Sequence, residues 1–324
     1  MKTGLFVIFC FFANILFAQP VNGITHQPDT SFTTNNAFIA AQKKYPDIRI
    51  VEPAHYKNVS QKFNIEYCKD DGRKLFLDVF SPVEKSLKKR VAILILFGGG
   101  WRSGTRSQLY PLAQKLASLG YVCVTPDYSL STDAYYPAAI HDIKTAVKWI
   151  KFHHKDFNID TAKLVALGFS AGGELAAFVG NTNGYTQFDG KNCFNNISSW
   201  VHGIIDIDGT LSFVHPESGE GDDSKKTSAA TYWLGYAKSD KPELWEEASP
   251  LTYTGKNTPA TLFINSSISR MHAGRTDYIN ILKKYGTYYQ IKTFDNTPHS
   301  FCLFYPWFTP MVKYIDNFLK FVFH

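Results

Sequence analysis

Lys163-Leu164-Val165-Ala166-Leu167-Gly168-Phe169-Ser170-Ala171-Gly172-Gly173 starts as a short apolar strand, turns sharply, and opens a second apolar run, residues 173–179, of helical character. Gly168 and Gly172 flank Ser170 at two residues' distance, where a tight strand-to-helix turn has no room for side chains. Such a turn leaves the serine hydroxyl projecting above the sheet, so Ser170 is a candidate nucleophile. The pentapeptide GxSxG is common in isolation; between a buried strand and a helix it is specific.

The flanking sequence has the same rhythm. Residues 63–69 and 75–80 alternate around Asp70-Asp71-Gly72, a hairpin signal. Residues 91–97 are continuously apolar, as a strand buried on both faces must be. Leu109, Leu112, Leu116 and Leu119 recur at helical spacing within residues 107–119, and Gly120 is placed to end that helix. After a strand at 121–125, Pro137 opens a helix whose apolar face is Ile140, Ile143, Val147 and Ile150. Further strands are predicted at 201–207, 260–265 and 288–294, and closing helices at 276–285 and 310–323. This alternation implies parallel crossover units, hence an α/β architecture: a doubly wound, mainly parallel sheet flanked by helices. Two insertions interrupt it, near 181–199 and 211–249, and the second is expected to wall the site.

At 324 residues, 44% of them hydrophobic, the chain can bury a large core. Lys2, the apolar run from Leu5 to Phe17 and Ala18 before Gln19-Pro20 read as a cleavable signal peptide over residues 1–18. That run is short for a bilayer span and no comparable one follows. A secreted or periplasmic protein without a stable membrane span is expected, with residues 19–60 an N-terminal arm and 61–324 the catalytic domain. Loss of Cys10 with that segment leaves Cys68, Cys123, Cys193 and Cys302. Cys123 reads as a buried packing residue, and the others stay open. The net charge of +6 is scattered, which argues against nucleic acid as a partner and weakly favours an anionic substrate. With no HExxH, no P-loop and no GxGxxG spacing around Gly98-Gly99-Gly100, no cofactor or metal is expected.

A serine hydroxyl needs a base. His299, in a loop after the last strand and before the final helix, is the candidate, in the chain order serine, acid, histidine. His141, His153, His154, His202, His215 and His324 fall on helices, helix ends or insertions. Phe97-Gly98-Gly99-Gly100-Trp101 follows the 91–97 strand, where glycine amides can approach a substrate closely. An oxyanion hole is therefore expected from the N–H groups of Ala171, Gly100 and Gly99, with Trp101 lining the site.

Residues 91–324 resemble the esterase and lipase branch of the α/β-hydrolases that carries HGGGW and GxSxGG, in particular carbohydrate esterases of gut and soil Bacteroidetes. The resemblance implies an α/β-hydrolase fold and a secreted serine carbohydrate esterase acting on plant cell-wall polysaccharide. Two departures stand out. Phe97 replaces the histidine that helps hold the family's oxyanion loop. The family's acid follows the strand matching residues 260–265, and none stands at that offset here. Asp277, the first carboxylate after the strand, is the candidate acid. It reads equally as a first-turn helix acid favoured by the macrodipole. Asp206 and Asp208 are alternatives, as is a serine–histidine pair without a strong acid.

In place of the acid-bearing loop stand Arg270, His272 and Arg275, which resemble the HAGR-containing loop of pectin-active esterases. An arginine pair can grip a carboxylate, so methyl-esterified pectin is the preferred substrate, a polysaccharide of anionic character. Acetyl or feruloyl esters on xylan or pectin are the nearest alternative. A lipase- or peptidase-like small-molecule hydrolase and a non-catalytic binding protein remain.

Overall fold

Alternate side chains of a strand face opposite sides of its sheet, and the buried strands of this chain use that period to serve two helical layers. The computed structural model describes residues 19–70, 72–191 and 193–323; the expected signal peptide and Asp71 of the hairpin turn lie outside the described residues. In chain order the elements are α1 (Thr34–Gln42), β1 (Arg49–Ile50), β2 (Val59–Asp70), β3 (Arg73–Pro82), β4 (Arg90–Leu96), α2 (Tyr110–Ser118), β5 (Val122–Pro126), α3 (Ala138–Phe152) and β6 (Ile159–Phe169). There follow α4 (Ala171–Asn181), β7 (Gly203–Ile207), α5 (Ala229–Leu234), α6 (Pro242–Glu247), β8 (Ala260–Asn265), α7 (Arg275–Tyr285), β9 (Tyr289–Thr293), β10 (Phe304–Tyr305) and α8 (Phe308–Phe323).

The main sheet has eight strands in the order β2-β3-β5-β4-β6-β7-β8-β9. Its first two pairings are antiparallel and the rest parallel, which is the doubly wound α/β-hydrolase arrangement. Ile93, Ile95, Cys123, Val165 and Leu167 face the layer of α2 and α8, where Leu112, Leu116, Ile315 and Phe318 pack. Ala92, Leu94, Leu96, Val122 and Ala166 face the layer of α3 and α4, with Ile140, Ile143, Val147, Ile150 and Leu175. Each fully buried leucine or isoleucine stabilises the fold by about 1.5–3 kcal/mol.

Around this sheet lie the less regular parts. The 19–60 arm contributes α1, capped by the Thr33 hydroxyl, and β1, which pairs with β10. Arg102 ties the arm down through Asp29 at 3.0 Å and the Gly23 carbonyl at 3.0 Å. Cys68 and Cys193 form a disulfide that fastens the 181–199 stretch to β2; Cys123 and Cys302 are free and buried. Among the described residues no helix is long and apolar enough to cross a membrane.

Candidate active site

Ser170 closes β6 with φ 57° and ψ −122°, a backbone conformation rarely taken by residues with a Cβ. Three hydrogen bonds hold it there. Its N–H donates to Ile207 O at 2.8 Å, and its carbonyl accepts from the N–H groups of Gly173 at 2.8 Å and Glu174 at 3.0 Å. The glycines around it are steric requirements. A Cβ on Gly168 would overlap the Gly172 backbone, one on Gly172 the carbonyls of Leu96 and Phe97, and one on Gly173 the Asp206 carboxyl.

The loop after β9 brings His299 back over the end of β6, its ring 5.0 Å from that of Phe169. His299 Nε2 lies 2.8 Å from Ser170 Oγ, and Nδ1 lies 3.0 Å from Asp208 Oδ2. A carboxylate only accepts, so Nδ1 carries the ring proton and Nε2 accepts from the Ser170 hydroxyl. Asp208 follows β7 with φ 53° and is fully buried. Its other oxygen accepts from the Ser266 N–H at 2.7 Å and from Asn265 Nδ2 at 3.5 Å.

Asp277 is not at His299, against the expectation above. It stands in the first turn of α7, 59% exposed, with Oδ2 3.5 Å from His215 Nε2 in the 211–249 stretch. The first turn of α7 directs it there and away from the imidazole, leaving the helix-acid role. The acid position is filled by Asp208, from the strand before the one where relatives carry it. A local signal existed: Asp-Gly at the end of a buried strand beside the elbow strand, since aspartate tolerates positive φ.

The oxyanion loop holds without the family's histidine. The Gln108 side-chain amide accepts from the Gly98 N–H at 2.8 Å and donates to the Gly98 carbonyl at 3.1 Å. Tyr128 donates to Phe97 O at 2.8 Å and stacks on the Phe97 ring at 4.3 Å. Gly100 and Ala171 line a cavity of about 160 Å³ together with Ser170 and His299. Gly99 is not among its lining residues; the Gly99 carbonyl instead anchors Ser103 N and Oγ. Trp101 reaches the cavity wall but is only 4% exposed. Its indole stacks on Trp233 at 5.1 Å and donates to Glu174 at 2.8 Å, so it braces the wall and offers little face to a sugar.

Beneath the loop lie two buried carboxyls. Glu174 receives the Trp101 indole N–H, and Asp206 receives the Gly209 N–H at 2.7 Å. The other oxygen of each, Glu174 Oε1 and Asp206 Oδ2, has no hydrogen-bond partner among the described residues. Burial above all raises both carboxyls well above the ordinary carboxylate range.

Of the basic residues expected to grip substrate, only Arg270 lines the cavity. Arg275 donates to Asn265 Oδ1 at 2.5 Å, and Asn265 in turn donates to Asp208, so Arg275 braces the acid from behind. His272 is half-buried and does not line the cavity; burial, then the Arg275 charge, lowers its imidazole below the ordinary value. The paired guanidinium grip is therefore absent: Arg275 sits behind β8's end, where Asn265 takes its guanidinium. In its place the cavity wall carries Glu220, from the 211–249 stretch, with Oε1 3.6 Å from Arg270 Nη1. Nothing in the sequence separates Glu220 from Glu217, Asp222 and Asp223 beside it.

The BD-FAE family model matches residues 77–270. The chain is similar to Esterase LipQ of Mycobacterium tuberculosis, 27% identical over 208 residues that make up 63% of this chain and 48% of LipQ. It is similar to Esterase LipC of the same organism, 28% identical over 61% of this chain and 49% of LipC. The chain thus spans about half the length of the curated relatives it matches. Among solved structures, a truncated carbohydrate esterase from gut microbiota superposes with a TM-score of 0.68 at 20% identity, over 83% of this chain and 99% of that one. Apo Thermogutta terrifontis esterase 2 gives a TM-score of 0.65 at 22% identity, over 83% and 97%. At such identities the likeness establishes the fold.

Proposed function

The chain belongs to the BD-FAE family and folds as an α/β-hydrolase, and on that premise we propose that it is a serine carboxylic ester hydrolase acting on esters carried by carbohydrate. The contact that carries this reading is Ser170 Oγ to His299 Nε2 at 2.8 Å, with Nδ1 on Asp208 at 3.0 Å. In the reaction, Ser170 Oγ attacks the ester carbonyl while His299 Nε2 takes its proton. Gly100 and Ala171 line the same cavity, and their N–H groups serve the oxyanion in this reading. His299 then returns the proton to the departing alcohol, and water, deprotonated by the same imidazole, releases the acid from Ser170. The esterase names of the similar proteins LipQ, LipC and the gut carbohydrate esterase support this assignment. The signal-peptide pattern of the first eighteen residues supports a reading in which the enzyme is exported and meets its substrate outside the cytoplasm.

For the ester itself, a short acyl group is favoured. The cavity of about 160 Å³ falls below the roughly 300–1,000 Å³ of sites that take drug-sized ligands, so an acetyl group suits it better than a feruloyl group. Methyl-esterified pectin is the second reading, favoured by Arg270 at the cavity wall; its acyl half, however, is the galacturonate ring itself. Methylated, acetylated pectin and acetylated xylan separate the two when methanol and acetate are assayed independently. Acetate without methanol is expected, and methanol without acetate would reverse the order. Release of neither, or release unaffected by Ser170→Ala, would sink the hydrolase.

A further inference from the structure

Among the described residues Glu220 is the one carboxylate lining the cavity that also holds Ser170 and His299, and its surroundings are unusual for a half-buried acid. Its side chain is 17% exposed, yet no donor of the described protein hydrogen-bonds to the carboxylate. Arg270 Nη1 stands 3.6 Å away, too far for a hydrogen bond, on a side chain that is itself 54% exposed. Arg270 thereby marks the open side of the cavity, and Glu220 lies against it.

The backbone beneath Glu220 is clamped. Lys238 Nζ donates to the Glu220 carbonyl at 2.5 Å and to the Phe213 carbonyl at 2.7 Å, and lies over the Trp245 ring at 5.1 Å. The Glu220 N–H donates to Ser218 Oγ at 3.2 Å. The backbone is thus held in place while the carboxylate's acceptor sites receive no hydrogen bond from the described residues, and a half-buried acceptor gains most from a ligand that brings donors. Hydroxyl groups are such donors; a second carboxylate is repelled.

We infer that Glu220 is a specificity-determining residue that accepts hydrogen bonds from free hydroxyls next to the ester, selecting neutral, hydroxyl-rich sugar esters over uronates. This rests on the hydrolase reading above and names the substrate class within it. By fixing the backbone from which the carboxylate extends, Lys238 leaves only the side-chain torsions to be ordered when the sugar arrives.

The test compares a monoacetylated methyl xyloside, which has free hydroxyls beside the ester, with p-nitrophenyl acetate, which has none. In Glu220→Ala the ratio of kcat/KM for the xyloside over the phenyl ester is expected to fall about 10- to 100-fold, the range of a hydrogen bond to a charged acceptor. Glu220→Gln, which keeps an acceptor oxygen and the same shape, should recover part of that ratio and guards against misfolding of the alanine variant. An unchanged ratio in both variants overturns the inference. So does a parent protein that turns over p-nitrophenyl acetate through Ser170 but not the xyloside, an outcome that leaves the hydrolase standing. Phenyl ester turnover indifferent to Ser170→Ala overturns both.

Discussion

β6 and β7 run side by side, Phe169 paired with Ile207, and each is followed by a non-glycine residue of positive φ: Ser170 at 57° and Asp208 at 53°. Each turn then requires glycine. Gly172 and Gly173 follow the serine, Gly209 follows the aspartate, and Gly173 and Gly209 lie against one another, so that a Cβ on either would meet the other's turn. The two turns differ in what comes next. After Ser170 the chain enters α4 at once and passes under the end of β4, which imposes small residues at several fixed positions. After Asp208 it leaves into an irregular segment that lasts until α5 begins at Ala229, and Gly209 is the glycine imposed at the turn. A nucleophile placed by local sterics therefore leaves a dense local signature, whereas an acid placed by a neighbouring strand leaves almost none.

If the two turns form one catalytic unit, Asp208→Asn should be nearly as damaging as loss of the serine. A fall in kcat of about 10²- to 10⁴-fold is expected, because an amide can stabilise the wrong imidazole tautomer. Ester turnover within tenfold of the parent would separate Asp208 from the chemistry. The packing of the turns is probed by Gly209→Ala, whose Cβ would overlap Glu174 N, Asp206 Oδ1 and the Gly173 carbonyl carbon. Overpacking of this kind costs about 1–3 kcal/mol, read as a lower urea midpoint with the slope unchanged.

A smaller effect concerns the buried carboxyls that tie the two turns to their surroundings. Burial, with the Asp206 charge added and the Trp101 hydrogen bond opposing, raises the Glu174 carboxyl well above its ordinary 4.5. The folded protein then holds this proton more tightly than the unfolded chain, so the associated stability is complete below about 4.5 and is lost as pH rises through the folded-state value. Glu174→Gln has no such proton to lose. Its melting temperature should gain on the parent's as pH is raised from about 5 to about 8, and a constant difference across that range would refute the assignment. The smallest effect belongs to Asp277→Asn: exposed and facing His215, it should change kcat/KM by less than about twofold. A loss rivalling that of Asp208→Asn would restore Asp277 to the site.

Much of this was legible from residue order. The continuous apolar run at 91–97 and the strands expected at 121–125 and 201–207 became buried strands, and the leucine spacing of 107–119 became α2 with its preceding turn. The turn around Ser170 and the loop carrying His299 were visible because each lies at a strand end with its own punctuation. Asp277 is the sequence's candidate over Asp208 because the family's acid follows the strand equivalent to β8, and here that strand ends in Asn265, which accepts from Arg275 at the start of α7. Those two residues then support the acid at one remove. Glu220 was hidden for another reason: an irregular segment has no period from which the direction of a side chain can be read.

Residue order alone established the layered α/β sheet, the serine at its sharpest turn and the loop that carries the histidine, because each shows as a local pattern of apolar runs, turn glycines and strand ends. The partner of that histidine, the supporting role of Arg275 and the acid on the cavity wall were decided by the folded molecule. Asp208 and His299 are 91 positions apart, and an imidazole accepts orientation from any carboxylate the neighbouring strand ends bring within about 3 Å. Several strand ends satisfy the chemistry equally, and only their arrangement in space selects one.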